Sequence, residues 1–549
     1  MPDLLPNPLY YLDNFQRVVS WISDHHDDLL TPSERDFLAA FVEVPEVSRA
    51  LLVRMVMRKG DVFRTDRLHY EEIGCPLAAA VPLVEQGWVD DRPVLECEAL
   101  CRLVTKPELR HHLAPYLPAG SLSKADMLSV LGQASLPSRP FDEWCPDATD
   151  RVFRLGVKDF CERLRVMFFG NARQDWSEFV LADLGIYRYE VIEISPASRA
   201  FGSRQDVDDY LHLHRCRERL DAGEPVHSVL DDIPANAHAN PWLEARRGKL
   251  LLALGMQLER EGALSQALQV HAQNAYAGAR VRCIRVLEKL GQRDAALELA
   301  SAVQARPESE CEAQQAGRIL TRLRRALGHA TAGRRKAAAY DRMDLILPAS
   351  DNFTSVERRV QAHLTSAQAP VHYVENTLLN ALFGLLCWDA IYAPLPGAFF
   401  HSFHAAPADL HQPGFQTRRA DLFATCLARL DSPAYLEIIR ERFHAKQGIQ
   451  SRFVAWGILD EALLEQALAC LPAAHLKKIF ERMLDDLRDN CTGLPDLVQF
   501  LPDERSYRMI EVKGPGDRLQ DNQKRWLDFF MAHGMPVTVC YVQWSGALS

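Results

Sequence analysis

The chain has 549 residues, 48% of them hydrophobic and 25% charged, with a formal net charge of −10, the composition of a soluble globular protein of about three or four domains. No uninterrupted apolar run is long enough to span a bilayer, and Met1-Pro2-Asp3-Leu4-Leu5-Pro6 lacks the basic region and apolar core of a signal peptide. The negative balance excludes an overall attraction to polyanions but not local basic patches, and thirteen cysteines without CxxC or disulfide-type spacing predict reduced, mostly buried thiols in a cytosolic protein.

Residues 1–75 read as helices. His25-His26-Asp27-Asp28 reads as exposed helix polarity, since neighbours on a helix point in different directions. Thr31-Pro32-Ser33-Glu34 is a helix start, followed by an amphipathic run to Phe41. Leu51 to Arg58 is apolar with a basic end, around which Arg54, Arg58, Lys59, Arg64 and Arg67 gather. A phosphate-contacting patch and a solvated face of snorkelling side chains fit this cluster equally well.

Short helices follow over residues 76–204. Ser121 to Leu128 opens with a hydroxyl cap and Lys124, and Pro137, Pro140 and Pro146 mark a linker. From Arg151 the spacing predicts a basic amphipathic helix carrying Arg151, Arg154, Lys158 and Arg165, with Phe153, Val157, Cys161 and Leu164 on another face. From about 205 to 345 the chain reads as stacked helix pairs. Gly262-Ala263-Leu264-Ser265-Gln266-Ala267-Leu268 and Gly291-Gln292-Arg293-Asp294-Ala295-Ala296-Leu297 align, each a turn glycine before an Ala/Leu-rich packing helix. Arg318, Arg322, Arg324, Arg325, Arg334, Arg335 and Lys336 form the densest basic run. With no acid among them, a phosphate-facing surface is favoured over an ion-pair network.

The remainder opens with a helix, Val374 to Ala390, that is apolar on most faces yet carries Glu375 and Asn376. A carboxylate there is costly to bury unless paired or bound to a cation, and equally suits a helix N-terminal turn. His401, His404 and His411 lie near Phe399, Phe400 and Phe403 and read as core-edge histidines. Gly493-Leu494-Pro495-Asp496 leads into a strand over Leu497 to Phe500. The next strand, Tyr507 to Lys513, alternates so that Glu511 and Lys513 share a face. A tight turn pairs the two and brings Asp496 beside Glu511, where carboxylate oxygens suit Mg²⁺ or Mn²⁺. Lys513 is then placed to orient or deprotonate an attacking water, or to offset charge on a phosphate. A bare Asp…Glu-x-Lys pattern also fits a solvated edge strand. Pro495 at the strand entry, the stop Gly514-Pro515-Gly516, and a helix from about Asp521 to Met531 carrying Gln523 and Trp526 favour a nuclease-type half-site. Val537 to Val542 reads as a buried strand, and no Gly-x-x-x-x-Gly-Lys-Ser/Thr loop for a nucleotide-driven motor is present.

The run Glu511-Val512-Lys513-Gly514-Pro515-Gly516-Asp517-Arg518-Leu519, with Gln523 and Trp526-Leu527, resembles the virus-type replication-repair nuclease (VRR-NUC) domain of the PD-(D/E)xK superfamily. Tyr10-Tyr11-Leu12-Asp13-Asn14-Phe15, and Val53-Arg54-Met55 through Arg58-Lys59-Gly60, resemble the opening of the Fanconi-associated nuclease family. The resemblance covers nearly the whole chain in order and suggests a bacterial-type member. It implies a mostly α multi-domain body, with a SAP-like segment and TPR-like helical repeats, and a C-terminal α/β PD-(D/E)xK-type nuclease domain. The boundaries expected are a helical DNA-binding region over 1–75, a SAP-like and linking region over 76–204, repeats over 205–364 and the VRR-NUC domain over 365–549.

By the same resemblance, Glu375, Asp496, Glu511 and the Val512 carbonyl hold the metal, Lys513 is the catalytic lysine, and Gln523 positions water or the scissile phosphate. Mg²⁺ or Mn²⁺ is expected because the ligands are hard oxygens. DNA contacts are expected from Arg54, Arg58, Lys59, Arg64, Lys124, Arg151, Arg154, Lys158, Arg318, Arg322, Arg324, Arg325, Arg334, Arg335 and Arg518. The implied function is a structure-specific DNA nuclease: a metal-dependent 5′-flap endonuclease with 5′-to-3′ exonuclease activity in interstrand crosslink repair. It would act on branched or flapped DNA, away from membranes, in the cytoplasm and at the nucleoid if bacterial. The alternatives are a Holliday-junction resolvase, which usually needs a symmetric dimer, and a non-catalytic repeat scaffold for repair proteins. Monomer and dimer both stay open.

Overall fold

The computed structural model of the chain describes residues 7–118, 120–134, 136–194, 198–329, 340–348, 354–412 and 414–545; Arg334, Arg335 and Lys336 lie outside the described residues. The chain divides into two units, residues 1–187 with 199–211, and residues 188–198 with 212–549. Among the described residues no helix is long and apolar enough to cross a membrane. All thirteen cysteines are free and most are buried.

In the first unit, helix Tyr10–His26 buries Phe15, Val18 and Ile22. His26, expected to be exposed, turns to this inner face, and burial pushes its imidazole down to about 4. Helix Pro32–Glu43 starts where the sequence places it: the Thr31 hydroxyl accepts from the Glu34 N–H, and the Glu34 carboxylate accepts from the Thr31 N–H at 3.0 Å. Lys124–Gln133 is capped likewise by Ser123 and Asp126. The helix predicted from Arg151 is corrected. Val152–Leu155 is a strand paired with Val62–Arg64 and Val89–Asp90, and the helix begins only at Lys158. Val152, Phe153 and Leu155 are buried, and Gly156 ends the strand, its N–H donating to the Trp88 carbonyl at 2.8 Å. Over so short a window, periods of 2 and 3.6 fit the same letters. The proline-marked stretch is also packed, not a spacer: Arg139–Pro140 pairs with Val94–Leu95, and Phe141 and Trp144 are buried behind it.

In the second unit, after helix Val226–Asp231, successive helices pack each on the next, Pro241–Arg260 on Leu264–Ala272 and Ala279–Lys289 on Arg293–Ala305, followed by Glu310–Ala326. The aligned turn glycines Gly262 and Gly291 have φ of +80° and +76°, a left-handed conformation that a side chain disfavours. Leu254, Leu258 and Val286 fill one layer of the stack, and Ala296, Ala300 and Leu323 the next.

A five-stranded sheet follows, in the order Asp341–Pro348, Val537–Ser545, Ser506–Lys513, Leu497–Leu501, Val371–Tyr373. The first three strands are parallel and the last two join antiparallel. The edge strand Asp341–Pro348 corrects the expectation of repeat helix to about 345 and places sheet upstream of the boundary drawn at 365. Only Leu347 of this strand is buried, so its hydrophobic pattern is too weak to announce a strand. Alternation along the inner strands builds two cores. Val498, Phe500, Met509 and Val539 pack with Leu382, Trp526 and Phe530 on one face, and Leu497, Ile510, Val512 and Cys540 pack with Val360 on the other. Glu511 and Lys513 share the parity of Met509, so they emerge at the end of the first face.

Candidate active site

The antiparallel register that sets Leu497 opposite Ile510 brings Asp496, just before its strand, alongside Glu511 and Val512. Asp496 Oδ2 accepts from the Val512 N–H at 2.8 Å, and the Asp496 carbonyl accepts from the Val374 N–H at 2.9 Å. The strand Val371–Tyr373 is thereby locked to the same edge, with Tyr373 opposite Leu497. Glu375 follows two residues later. The expected long helix is split here: Glu375 lies on a turn, and the fully buried helix runs only from Leu378 to Leu386. Pairing of Val371–Tyr373 with Leu497–Leu501 outcompetes helix extension toward the N-terminus. The turn makes Glu375 the exposed member of the acidic set, its charge bearing on both Asp496 and Glu511.

The hairpin acids are withdrawn from water. Asp496 is 6% exposed, Glu511 0% and Lys513 7%. Burial pushes the Asp496 carboxyl up to about 6, against the Val512 N–H and Lys513; the charges of Glu375 and Glu357 push the same way as burial. Burial, then the charge of Asp496, pushes Glu511 up to about 8 while Lys513 opposes. Lys513 Nζ stands 2.7 Å from Glu511 Oε1, an ion-pair distance without hydrogen-bond alignment. Neither Glu511 oxygen therefore has a hydrogen-bond partner among the described residues. A buried carboxylate without donors is costly as an anion unless a cation completes it. Two buried hard-oxygen donors and a third at the rim are of the kind a divalent cation takes, although their ligand atoms do not all lie within 4.8 Å of one another as those of His111, His112 and Asp147 do.

The remaining predicted residues are placed as follows. Gln523 lies in the first turn of helix Asp521–Ala532, where its side-chain oxygen accepts from the Gln520 N–H at 2.8 Å. Trp526 is buried and donates to the Thr492 carbonyl at 3.2 Å, anchoring that helix beside the Asp496 loop. Arg518 is exposed and has no ion pair among the described residues. Glu357, in the first turn of helix Val356–Leu364, escaped the sequence reading, because nothing in its local pattern shows that its charge reaches Asp496. Tyr373, which contacts Glu375, escaped it too, and Asn376 reads there only as a polar residue on an apolar run, not as a partner of Glu375.

The basic residues divide. Arg64 is corrected: it is buried, and Asp150 and Glu108 take its guanidinium at 2.7 Å each, so it offers no surface to a phosphate. Arg54 is bound to Glu72 and lies 3.8 Å from the Tyr11 ring centroid. Lys124 donates to the Val104 carbonyl, Lys158 to the Val56 and Arg58 carbonyls, and Arg154 to the Val94 carbonyl. Arg58, Lys59 and Arg151 are exposed, although Arg58 donates to the Arg67 carbonyl at 2.8 Å and Arg151 lies 3.9 Å from Asp91. The basic run on helix Glu310–Ala326 is likewise corrected in part. Its acids come from elsewhere in the chain, with Arg318 bound to Asp521 at 2.6 Å and Arg322 to Glu288. Arg324 and Arg325 are exposed without an ion pair among the described residues.

A mixed sheet presenting Asp496, Glu511 and Lys513 at the adjoining ends of two neighbouring strands, in a chain that is otherwise mostly helical, defines a metal-dependent PD-(D/E)xK-type nuclease. Comparisons with known proteins agree: a VRR-NUC domain matches residues 432–544, a "FAN1, HTH domain" residues 9–90, and a Fanconi anemia-associated nuclease SAP domain residues 94–144. The chain is 52% identical to the Fanconi-associated nuclease 1 homolog of Pseudomonas aeruginosa, over 98% of this chain and 97% of that one. It is 25% identical to the Oryza sativa homolog, over 98% of this chain and 63% of the relative. A solved structure of paFAN1 bound to 2nt 5′flap DNA with gap superposes with a TM-score of 0.96 at 51% identity, covering 99% of both chains. This chain belongs to the Fanconi-associated nuclease 1 family and is a DNA-hydrolysing enzyme that depends on divalent metal.

Proposed function

We propose that this protein is a structure-specific nuclease that cuts DNA near a 5′ flap, trims in the 5′-to-3′ direction and serves interstrand crosslink repair in the cytoplasm, at the nucleoid. The observation that carries the chemistry is the buried Asp496–Glu511 pair, with Glu511 lacking any hydrogen-bond donor beside Lys513. The substrate class is carried over from the relative in complex with 5′-flap DNA. Mg²⁺ or Mn²⁺ suits the all-oxygen donor set of Glu375, Asp496, Glu511 and the Val512 carbonyl. When bound, the cation supplies Lewis acidity to the scissile phosphate and eases deprotonation of water. The chain does the rest. Asp496 is held through Oδ2 by the Val512 N–H. Lys513 orients the attacking water and offsets charge on the phosphate. Gln523, fixed in a capped first turn, lines the approach, and Arg518 neutralises phosphate charge.

The domain division we adopt is a DNA-binding region over 1–75, a SAP-like and linking region over 76–204, repeats over 205–364 and the nuclease domain over 365–549, with the edge strand 341–348 taken out of the repeat span and joined to the nuclease sheet. Exposed Arg58, Lys59, Arg151, Arg324 and Arg325 are the basic residues best placed to meet phosphate. The test compares labelled 5′-flap, 3′-flap and four-way substrates with Mg²⁺ and with Mn²⁺. Preferential cutting of the 5′ flap is expected. Preference for the four-way junction would make this a resolvase, and binding without cutting would make it a scaffold.

A further inference from the structure

Glu375 is the exposed acid of the site, yet both of its oxygens are held. The Tyr373 hydroxyl donates to Oε2 at 2.6 Å, and Asn376 Nδ2 donates to Oε1 at 3.3 Å. Each holder is itself fixed. Tyr373 ends a strand paired with Leu497, and the Arg358 guanidinium lies 4.7 Å from its ring centroid. Asn376 has a φ of +50°, a left-handed backbone unusual for a residue with a side chain and best tolerated by asparagine. Its Oδ1 accepts from the Leu494 N–H at 3.2 Å, and its carbonyl accepts from Asn380 Nδ2 at 2.7 Å. Leu494 lies two residues before Asp496. One side chain therefore ties the Glu375 turn to the loop that delivers Asp496, and it does so from a strained backbone. Strain that persists at a functional site is a mark of a conformation the surroundings enforce.

We propose that Tyr373 and Asn376 are positioning residues that pre-set Glu375 as a metal ligand and couple its turn to the Asp496 loop. This rests on Glu375 belonging to the metal site. An exposed glutamate on a turn otherwise samples many rotamers, and a ligand that must be ordered on binding weakens the site. Partners of this kind orient metal ligands from behind.

The test is calorimetric titration of Mn²⁺ into the full-length protein without DNA, for the parent, Tyr373→Phe, Asn376→Gly and Glu375→Gln. Phenylalanine keeps the ring beside Arg358 and loses only the hydroxyl. Glycine keeps the left-handed turn accessible and loses both side-chain bonds. Each positioning variant should bind Mn²⁺ about tenfold more weakly with the metal-free melting temperature of the parent. In flap cleavage each should raise the Mn²⁺ requirement and regain the parent rate at saturating Mn²⁺, a split that general damage to the fold does not produce. If Glu375→Gln weakens Mn²⁺ binding while Tyr373→Phe and Asn376→Gly do not, positioning is refuted and the metal site stands. A loss of affinity that simply tracks lost melting temperature refutes it as well. If Glu375→Gln leaves Mn²⁺ binding unchanged, both readings fall together.

Discussion

The acidic hairpin and the arginine-rich helix Glu310–Ala326 treat charge in opposite ways. Glu511 is wholly buried and lacks a hydrogen-bond donor, whereas Arg318 and Arg322 stand in solvent and are each bound to a carboxylate from another helix. Local charge density is greatest on the helix, but it is the hairpin that buries two carboxylates against a single ammonium, Lys513 Nζ at 2.7 Å from Glu511. A density of like charges along the chain says little, because distant elements can neutralise it. Two carboxylates kept from water with one ammonium beside them are retained against a real cost, and so point to a further cation.

The sharpest way to break this contrast is to remove the buried acids. Asp496→Ala or Glu511→Ala should abolish cutting, by at least about a thousandfold, while flap binding measured by fluorescence anisotropy survives; retained cutting in either variant means the site lies elsewhere. Next in size is Lys513→Ala, expected to slow cleavage by about a hundredfold or more with Mn²⁺ still bound. Loss of Mn²⁺ binding there would mean that Lys513 builds the site instead of serving the reaction.

A third effect concerns stability. Asp496 at about 6 and Glu511 at about 8 both sit above the ordinary carboxylate range. The folded, cation-free protein thus holds protons that the unfolded chain has released. The stability they contribute is complete below the ordinary carboxylate range and is lost as pH rises through about 6 and then about 8. Melting in chelator should fall across that window, Mn²⁺ should restore more at its alkaline end, and Glu511→Gln should flatten the fall. A melting temperature that climbs with pH in chelator, in parent and variant alike, would show that the buried pair carries no such cost.

The smallest effects separate the two kinds of arginine. Neutralising Arg324 and Arg325 should lower the salt dependence of DNA binding by about 0.9 per charge removed. Arg318→Ala should leave that slope unchanged and cost about 0.2–1 kcal/mol of stability through its exposed pair with Asp521. Equal slopes for both variants would erase the distinction between paired and unpaired cations.

What was legible in the sequence was whatever depends on neighbours along the chain. Leu497–Leu501, Ser506–Lys513 and Asp521–Ala532 form where alternation, turn residues and helix signals place them, and Thr31 and Ser123 cap the helices they precede. That register set Asp496, Glu511 and Lys513 together, and Pro495, the Gly514-Pro515-Gly516 stop and the family resemblance favoured a nuclease site over a solvated strand. Short windows misled, as at Arg151 and Arg154, which border and occupy a strand whose period could not be told from a helix. Glu375 was found by resemblance, but its turn was hidden by the apolar run that surrounds it.

Everything that depends on distant partners was decided by the tertiary structure. It supplied Glu357 and Tyr373 to the site, gave Arg64 its carboxylates, and paired Arg318 with Asp521. It also set the proton affinities of Asp496 and Glu511, since desolvation is a property of the packed core around a group. Periodicity and turn chemistry are written along the chain. Burial and charge pairing exist only once remote segments meet.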